Sequence, residues 1–140
     1  MKRILGLDVG DKWIGVAISD PMAMIAQSLM TIKRESNQKA YDQILEIVKE
    51  YDISKIVVGL PKNLDNSIGI QSGKVTKFAN KLNSKFGLEV IYIDERLSTV
   101  SAESLLIEAN VRRENRKKYV DKIAATYILQ TYLDRGGANG

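Results

Sequence analysis

The chain has 140 residues, 44% hydrophobic and 27% charged, with a net charge of +4 and neither cysteine nor histidine. That length suits one domain over residues 1–140, with a core that needs no disulfide or structural metal to hold it. The missing residue types exclude thiolate and imidazole metal sites, cysteine nucleophiles and histidine bases, the Ser-His-Asp triad included. Any catalysis falls to carboxylates, hydroxyls, lysine, arginine or a metal held by oxygen, for which Mg²⁺ or Mn²⁺ is the fitting ion.

Met1-Lys2-Arg3 leads directly into a strand pattern, and no apolar run is long enough for a signal peptide or a membrane span. A cytoplasmic protein with no membrane partner is expected. Residues 3–9, Arg-Ile-Leu-Gly-Leu-Asp-Val, read as a buried strand, and Gly10-Asp11-Lys12 as the turn after it. Residues 13–19 read as a second strand with Ile14, Val16 and Ile18 on one face, which makes a hairpin with the first. A third strand is expected over 23–33.

The period then changes. Tyr41, Ile44, Leu45 and Val48 mark an amphipathic helix with Ser36 as its N-cap. Ile53 to Gly59 is a fourth strand, and residues 62–70 a polar loop. Val75, Phe78, Ala79 and Leu82 mark a second helix that Gly87 ends, and Leu88 to Ile93 a fifth strand. Ala102, Leu105, Leu106 and Ala109 mark a further helix. A basic loop follows, and Val120, Ile123, Ala124 and Tyr127 open a last helix that runs to about Leu133. Residues 135–140 read as a frayed tail.

This β-β-β-α-β-α-β-α-α order predicts an α/β fold. Strands 1–3 form an antiparallel meander, strands 1, 4 and 5 are parallel, and helices cover both faces of the mixed five-stranded sheet.

Ligands of such sheets gather at the carboxyl ends of parallel strands. Asp8 interrupts an apolar strand there, and Asp94-Glu95 lie at the end of strand 5. A buried charge needs a partner or a cation; a turn aspartate bonded to backbone N–H groups near Gly10 is an equal reading. Taken alone, Asp94-Glu95-Arg96 reads more readily as an ordinary loop whose Glu95 and Arg96 pair on the surface. Asp121, in a first helical turn, is favoured there by the helix dipole alone. Ala124 and Ala125, one turn on, would let that helix lie close to the sheet. Three converging carboxylates hold one or two divalent ions, enough to activate a water and stabilise the leaving oxygen of a phosphodiester.

The basic segment Arg112-Arg113-Glu114-Asn115-Arg116-Lys117-Lys118 accounts for the whole excess charge of +4. A polyanion partner calls for such a patch, although a solvated loop has the same composition.

Gly6-Leu7-Asp8-Val9-Gly10 followed by Ile14-Gly15-Val16-Ala17-Ile18-Ser19-Asp20-Pro21 resembles the opening of the YqgF family, bacterial proteins related to the resolvase RuvC. Val58-Gly59-Leu60-Pro61 with Asn63, Asp94-Glu95-Arg96-Leu97-Ser98-Thr99, and Asp121-Lys122-Ile123-Ala124-Ala125 with Ile128-Leu129-Gln130 match its other blocks in order. The resemblance covers essentially the whole chain. It implies a ribonuclease H-like fold and a nuclease whose acidic site is Asp8, Glu95 and Asp121. It also implies a role at the 5′ end of pre-16S ribosomal RNA.

This chain departs from the pattern in two ways. Related resolvases carry a carboxylate near the end of strand 4, where this chain has Gly59-Leu60-Pro61, so Glu95 would have to reach in from strand 5. Trp13 and Ile68 stand where family members often carry a basic and an acidic residue.

The expected function is thus metal-dependent cleavage of precursor ribosomal RNA. The metal would sit on Asp8, Glu95 and Asp121, and phosphates would meet Lys12, Arg96, Arg112, Arg113, Arg116, Lys117 and Lys118. Resolution of four-way DNA junctions and a non-catalytic RNA- or ribosome-binding module are the alternatives. A monomer and a homodimer both remain open.

Overall fold

The computed structural model describes the backbone of residues 3–60, 70–94 and 113–135, and the side chains of 3–60, 73–93 and 123–135. Strands β1 (Arg3–Val9), β2 (Trp13–Ser19), β3 (Ala26–Lys33), β4 (Ile53–Leu60) and β5 (Glu89–Asp94) form one sheet in the order β3-β2-β1-β4-β5. The β1–β2 and β2–β3 pairs are antiparallel, and β1–β4 and β4–β5 are parallel. Helices α1 (Asn37–Tyr51), α2 (Ile70–Phe86) and α3 (Arg113–Asp134) accompany the sheet. This is the mixed sheet that the strand and helix periods predict.

Alternation along each strand divides the core in two. Leu5, Leu7 and Val9 of β1, Ile14, Val16 and Ile18 of β2, and Ile56 and Val58 of β4 pack against α1 and α2. Their neighbours Ile4, Ala17, Val57 and, from β5, Ile93 pack instead on Ala125, Ile128, Leu129 and Leu133 of α3. Helices therefore cover both faces, with the pair α1 and α2 on one and α3 on the other.

The helix signals act as expected. The Ser36 side chain accepts a hydrogen bond from the Lys39 N–H at 3.2 Å, the N-cap bond worth about 1 kcal/mol. At the other end Asp52 takes a left-handed conformation, φ 53°, and its N–H bonds the Val48 carbonyl. Gly87 has φ +67°, which only glycine adopts freely, and its N–H bonds Asn83 O at 2.9 Å where α2 ends.

Three expectations need correction. The third strand begins at Ala26, not residue 23: the Asp20 carboxylate accepts the N–H groups of Met24 and Ile25 at 2.7 and 2.9 Å, which holds that stretch in a loop. The fifth strand is offset by one residue, at Glu89–Asp94. Residues 113–118 are not a loop but the opening turns of α3. Arginine, lysine and glutamate are good helix formers, and the run holds no glycine or proline to stop them. The helix expected over 102–109 lies outside the described residues, as does the loop expected over 62–70 except for Ile70, which already begins α2. Among the described residues, no helix is long and apolar enough to cross a membrane.

Candidate active site

Asp8 lies next to last in the central strand, near its carboxyl end. Ile4, Gly6 and Asp8 share one strand face, so the carboxylate belongs to the side that α3 covers. It is 6% exposed, one of two buried polar residues among those described. The other, Ser19, accepts the Ile4 N–H at 2.9 Å and donates to Asp20 O at 3.0 Å.

Glycines surround the row of Asp8. Its register partner on β2 is Gly15. On β4 the row after Leu7–Val58 falls to Gly59, which pairs with Ile93 of β5. Neither flanking strand places a side chain in the row of the carboxylate. The strand-4 position without an acid is therefore also a position without a Cβ.

Gly6 sets how closely α3 approaches. A Cβ placed there would lie 2.8 Å from Leu129 Cβ and 3.0 Å from the Ala125 carbonyl oxygen. Only a bare backbone admits the helix at that distance. Ala124 and Ala125 are fully buried, as expected for a close helix–sheet contact.

The direction of α3 follows from its other contacts. Gln130 accepts the Ala26 N–H at 2.8 Å and donates to Met24 O at 3.1 Å. These groups lie beyond the end of β2 that pairs with the start of β1. With Ala125 over Gly6, the helix runs antiparallel to β1, and its N-terminal turns extend toward the row of Asp8. Asp121 occupies the backbone one turn before Ala125, about 6 Å along the axis. Gly6 to Asp8 is a comparable step, about 6.6 Å along the strand.

The other expected residues divide into three groups. Lys12 is exposed in the β1–β2 turn. Arg113, Arg116, Lys117 and Lys118 are placed by their backbone alone, in the first turns of α3. Glu95, Arg96 and Arg112 lie outside the described residues. Among the described residues, no three metal-ligating side chains converge, and Glu95 and Asp121 are not among the side chains described. Trp13 begins β2 half-buried, opposite Lys33, and its carbonyl accepts the Gly10 N–H at 2.8 Å to close the turn.

Sequence reasoning missed Arg34. Its main-chain N–H bonds Lys12 O at 2.8 Å, and its Nη1 donates to Gly10 O at 2.8 Å. One residue thus clamps both ends of the turn that follows Asp8. No local pattern announces it, because the clamp joins residues that only the β2–β3 hairpin brings together.

A family model described as "RuvX: Holliday junction resolvase" matches residues 2–135. A protein of Thermoanaerobacter pseudethanolicus is 53% identical over 133 residues, 94% of this chain and 96% of its own, and is named "Putative pre-16S rRNA nuclease". One of the same name from Caldanaerobacter subterraneus subsp. tengcongensis is 55% identical over 133 residues, 94% of this chain and 96% of its own. Among solved structures, T. thermophilus RuvC in complex with a Holliday junction substrate superposes with a TM-score of 0.61. That match covers 98% of this chain and 97% of RuvC. At 13% identity it shows the ribonuclease H-like fold alone.

Proposed function

The chain belongs to the RuvX family, and from that premise we propose that it is a metal-dependent nuclease that hydrolyses phosphodiester bonds at the 5′ end of pre-16S ribosomal RNA. The observation that carries the reading is Asp8: a buried carboxylate near the end of the central strand, in a row of glycines, on the face that the last helix closes.

Glu95 and Asp121 complete the proposed set. Glu95 directly follows Asp94, the last residue of β5, and comes from the family resemblance. Asp121 is supported by the approach of α3, which is close at Gly6 and from there extends its N-terminal turns toward the same row.

An all-carboxylate donor set in a chain without histidine or cysteine suits a hard divalent cation, Mg²⁺ or Mn²⁺, as one ion or two. When bound, such an ion activates a water and stabilises the leaving oxygen. The protein's own part is to hold the carboxylates on rigid elements, so that no reorganisation is needed as charge develops. Lys12, Arg96 and the basic residues 112–118 are proposed to hold phosphates, which positions the strand without reading its bases.

The deciding experiment is Mg²⁺-dependent cleavage of precursor 16S RNA by wild type and by Asp8→Asn, with a four-way DNA junction alongside. Cleavage of the RNA is expected to fall by about 100-fold or more in the variant, while its thermal unfolding stays near that of wild type. Undiminished cleavage by Asp8→Asn overturns the site. Paired cuts in the junction without RNA cleavage replace the substrate. RNA binding without turnover leaves a binding module.

A further inference from the structure

On the opposite face of the sheet from Asp8, a groove of about 420 Å³ runs between α2, the start of α1 and the β1–β2 turn. Its lining carries four cations, Arg34, Lys74, Lys77 and Lys81, against two acids, Asp11 and Glu35. Glu35 is already paired with Lys39 at 3.1 Å. The three lysines are exposed, and none forms an ion pair with a described residue. They stand at i, i+3 and i+7 on one face of α2, over about 10 Å of helix. Within a DNA duplex each strand advances about 3.4 Å along the axis per phosphate, so the row is long enough to span about three phosphates.

Arg34 fixes one wall. Its guanidinium lies 4.8 Å over the Phe78 ring, and Nε and Nη2 donate to Asn37 Oδ1 at 3.3 and 3.1 Å. With Nη1 on Gly10 O, three of its five N–H groups are committed and two remain for an anion. The aromatic floor offers no base a place to stack. Tyr41 and Phe78 are each 3% exposed, stacked on one another at 4.5 Å, with the Tyr41 hydroxyl donating to Phe78 O at 2.8 Å. The groove presents positive charge and hydrogen-bond donors but no free ring.

We infer that this groove is a second nucleic-acid contact, a phosphate track that takes the substrate strand around the β1–β2 turn and away from the cleavage site. It takes its ligand from the nuclease reading and adds a surface on the other side of the sheet. It binds the sugar-phosphate backbone without regard to sequence.

The test is binding of single-stranded RNA, long enough to leave the site in both directions, across a salt series without divalent metal. The triple variant Lys74→Gln, Lys77→Gln, Lys81→Gln should bind about tenfold to hundredfold more weakly at low salt. Its plot of log affinity against log salt should be shallower by about 2, since each phosphate that a single strand no longer has neutralised lowers the slope by about 0.7. A homopolymer, a mixed sequence and the corresponding DNA should lose alike. Lys77→Gln alone should lower the slope by about 0.7, which serves if the triple variant unfolds.

Unchanged slope and affinity in a folded variant overturn the groove, as does wild-type protein that fails to retain RNA at low salt. The nuclease reading fails separately: a wild type that binds with the full slope yet cleaves nothing keeps the groove and loses the chemistry. Cleavage with an unaltered triple variant does the reverse.

Discussion

Toward α1 and α2 the three central strands present Leu5, Leu7, Val9, Ile14, Val16, Ile18, Ile56 and Val58. Toward α3 the same strands present Ile4, Gly6, Asp8, Gly15, Ala17, Val57 and Gly59, smaller on average and interrupted by a charge. The difference shows how one sheet divides its tasks. Each large side chain buried on the first face contributes about 1.5–3 kcal/mol. The second face gives up much of that area so that a helix can come close and a carboxylate can sit between them. Stability is concentrated on one side, which leaves the other free for the proposed chemistry.

That contrast can be broken at each face in turn. Leu7→Ala, on the bulky side, should cost about 2–5 kcal/mol, the range for truncating a buried leucine. The check is the denaturant midpoint, with cleavage per folded molecule nearly intact. Greater loss of activity than of stability would show that the two faces are not separate in function.

Gly6→Ala, on the small side, should cost about 1–3 kcal/mol, because its Cβ meets the Ala125 carbonyl and the Leu129 side chain and α3 must shift. Here cleavage should fall further than stability explains, measured on protein shown to be folded by circular dichroism. An alanine accepted without either effect would show that close approach of α3 is not needed.

The smallest effect sharpens the comparison through pH. Burial raises the Tyr41 and Tyr92 phenols above the ordinary tyrosine value, and both pack on the bulky side. The fold favours their neutral forms, so this contribution is whole below pH 10 and is lost as pH rises through the raised folded values. Tyr41→Phe should flatten part of that alkaline decline, read from unfolding midpoints, at a fixed cost of about 1 kcal/mol for the missing bond to Phe78 O.

Much of this division is legible in the chain. The period-two runs of β1, β2 and β4 and the Ser36 and Gly87 signals are local, and local patterns survive folding. Ala124 and Ala125 foreshadow the close approach of α3, although nothing foreshadows its seat at Gly6. Charge misleads once: the polarity of 113–118 suggests a loop, yet its residues also favour a helix. The apolar Met24 and Ile25 extend the third strand too far, because one aspartate side chain holds them in a loop. Arg34 and the lysine row are illegible for another reason. A clamp and a groove exist only once separate elements meet, and nothing within any one of them marks the meeting.

Gly6 and Leu129 touch, yet they belong to the first strand and the last helix. On a ribosome the strand is made early and the helix late. A growing chain therefore carries Asp8 with no wall opposite it until α3 has been made. On the proposed reading, competence to cut waits until that helix has been made and has closed over the strand.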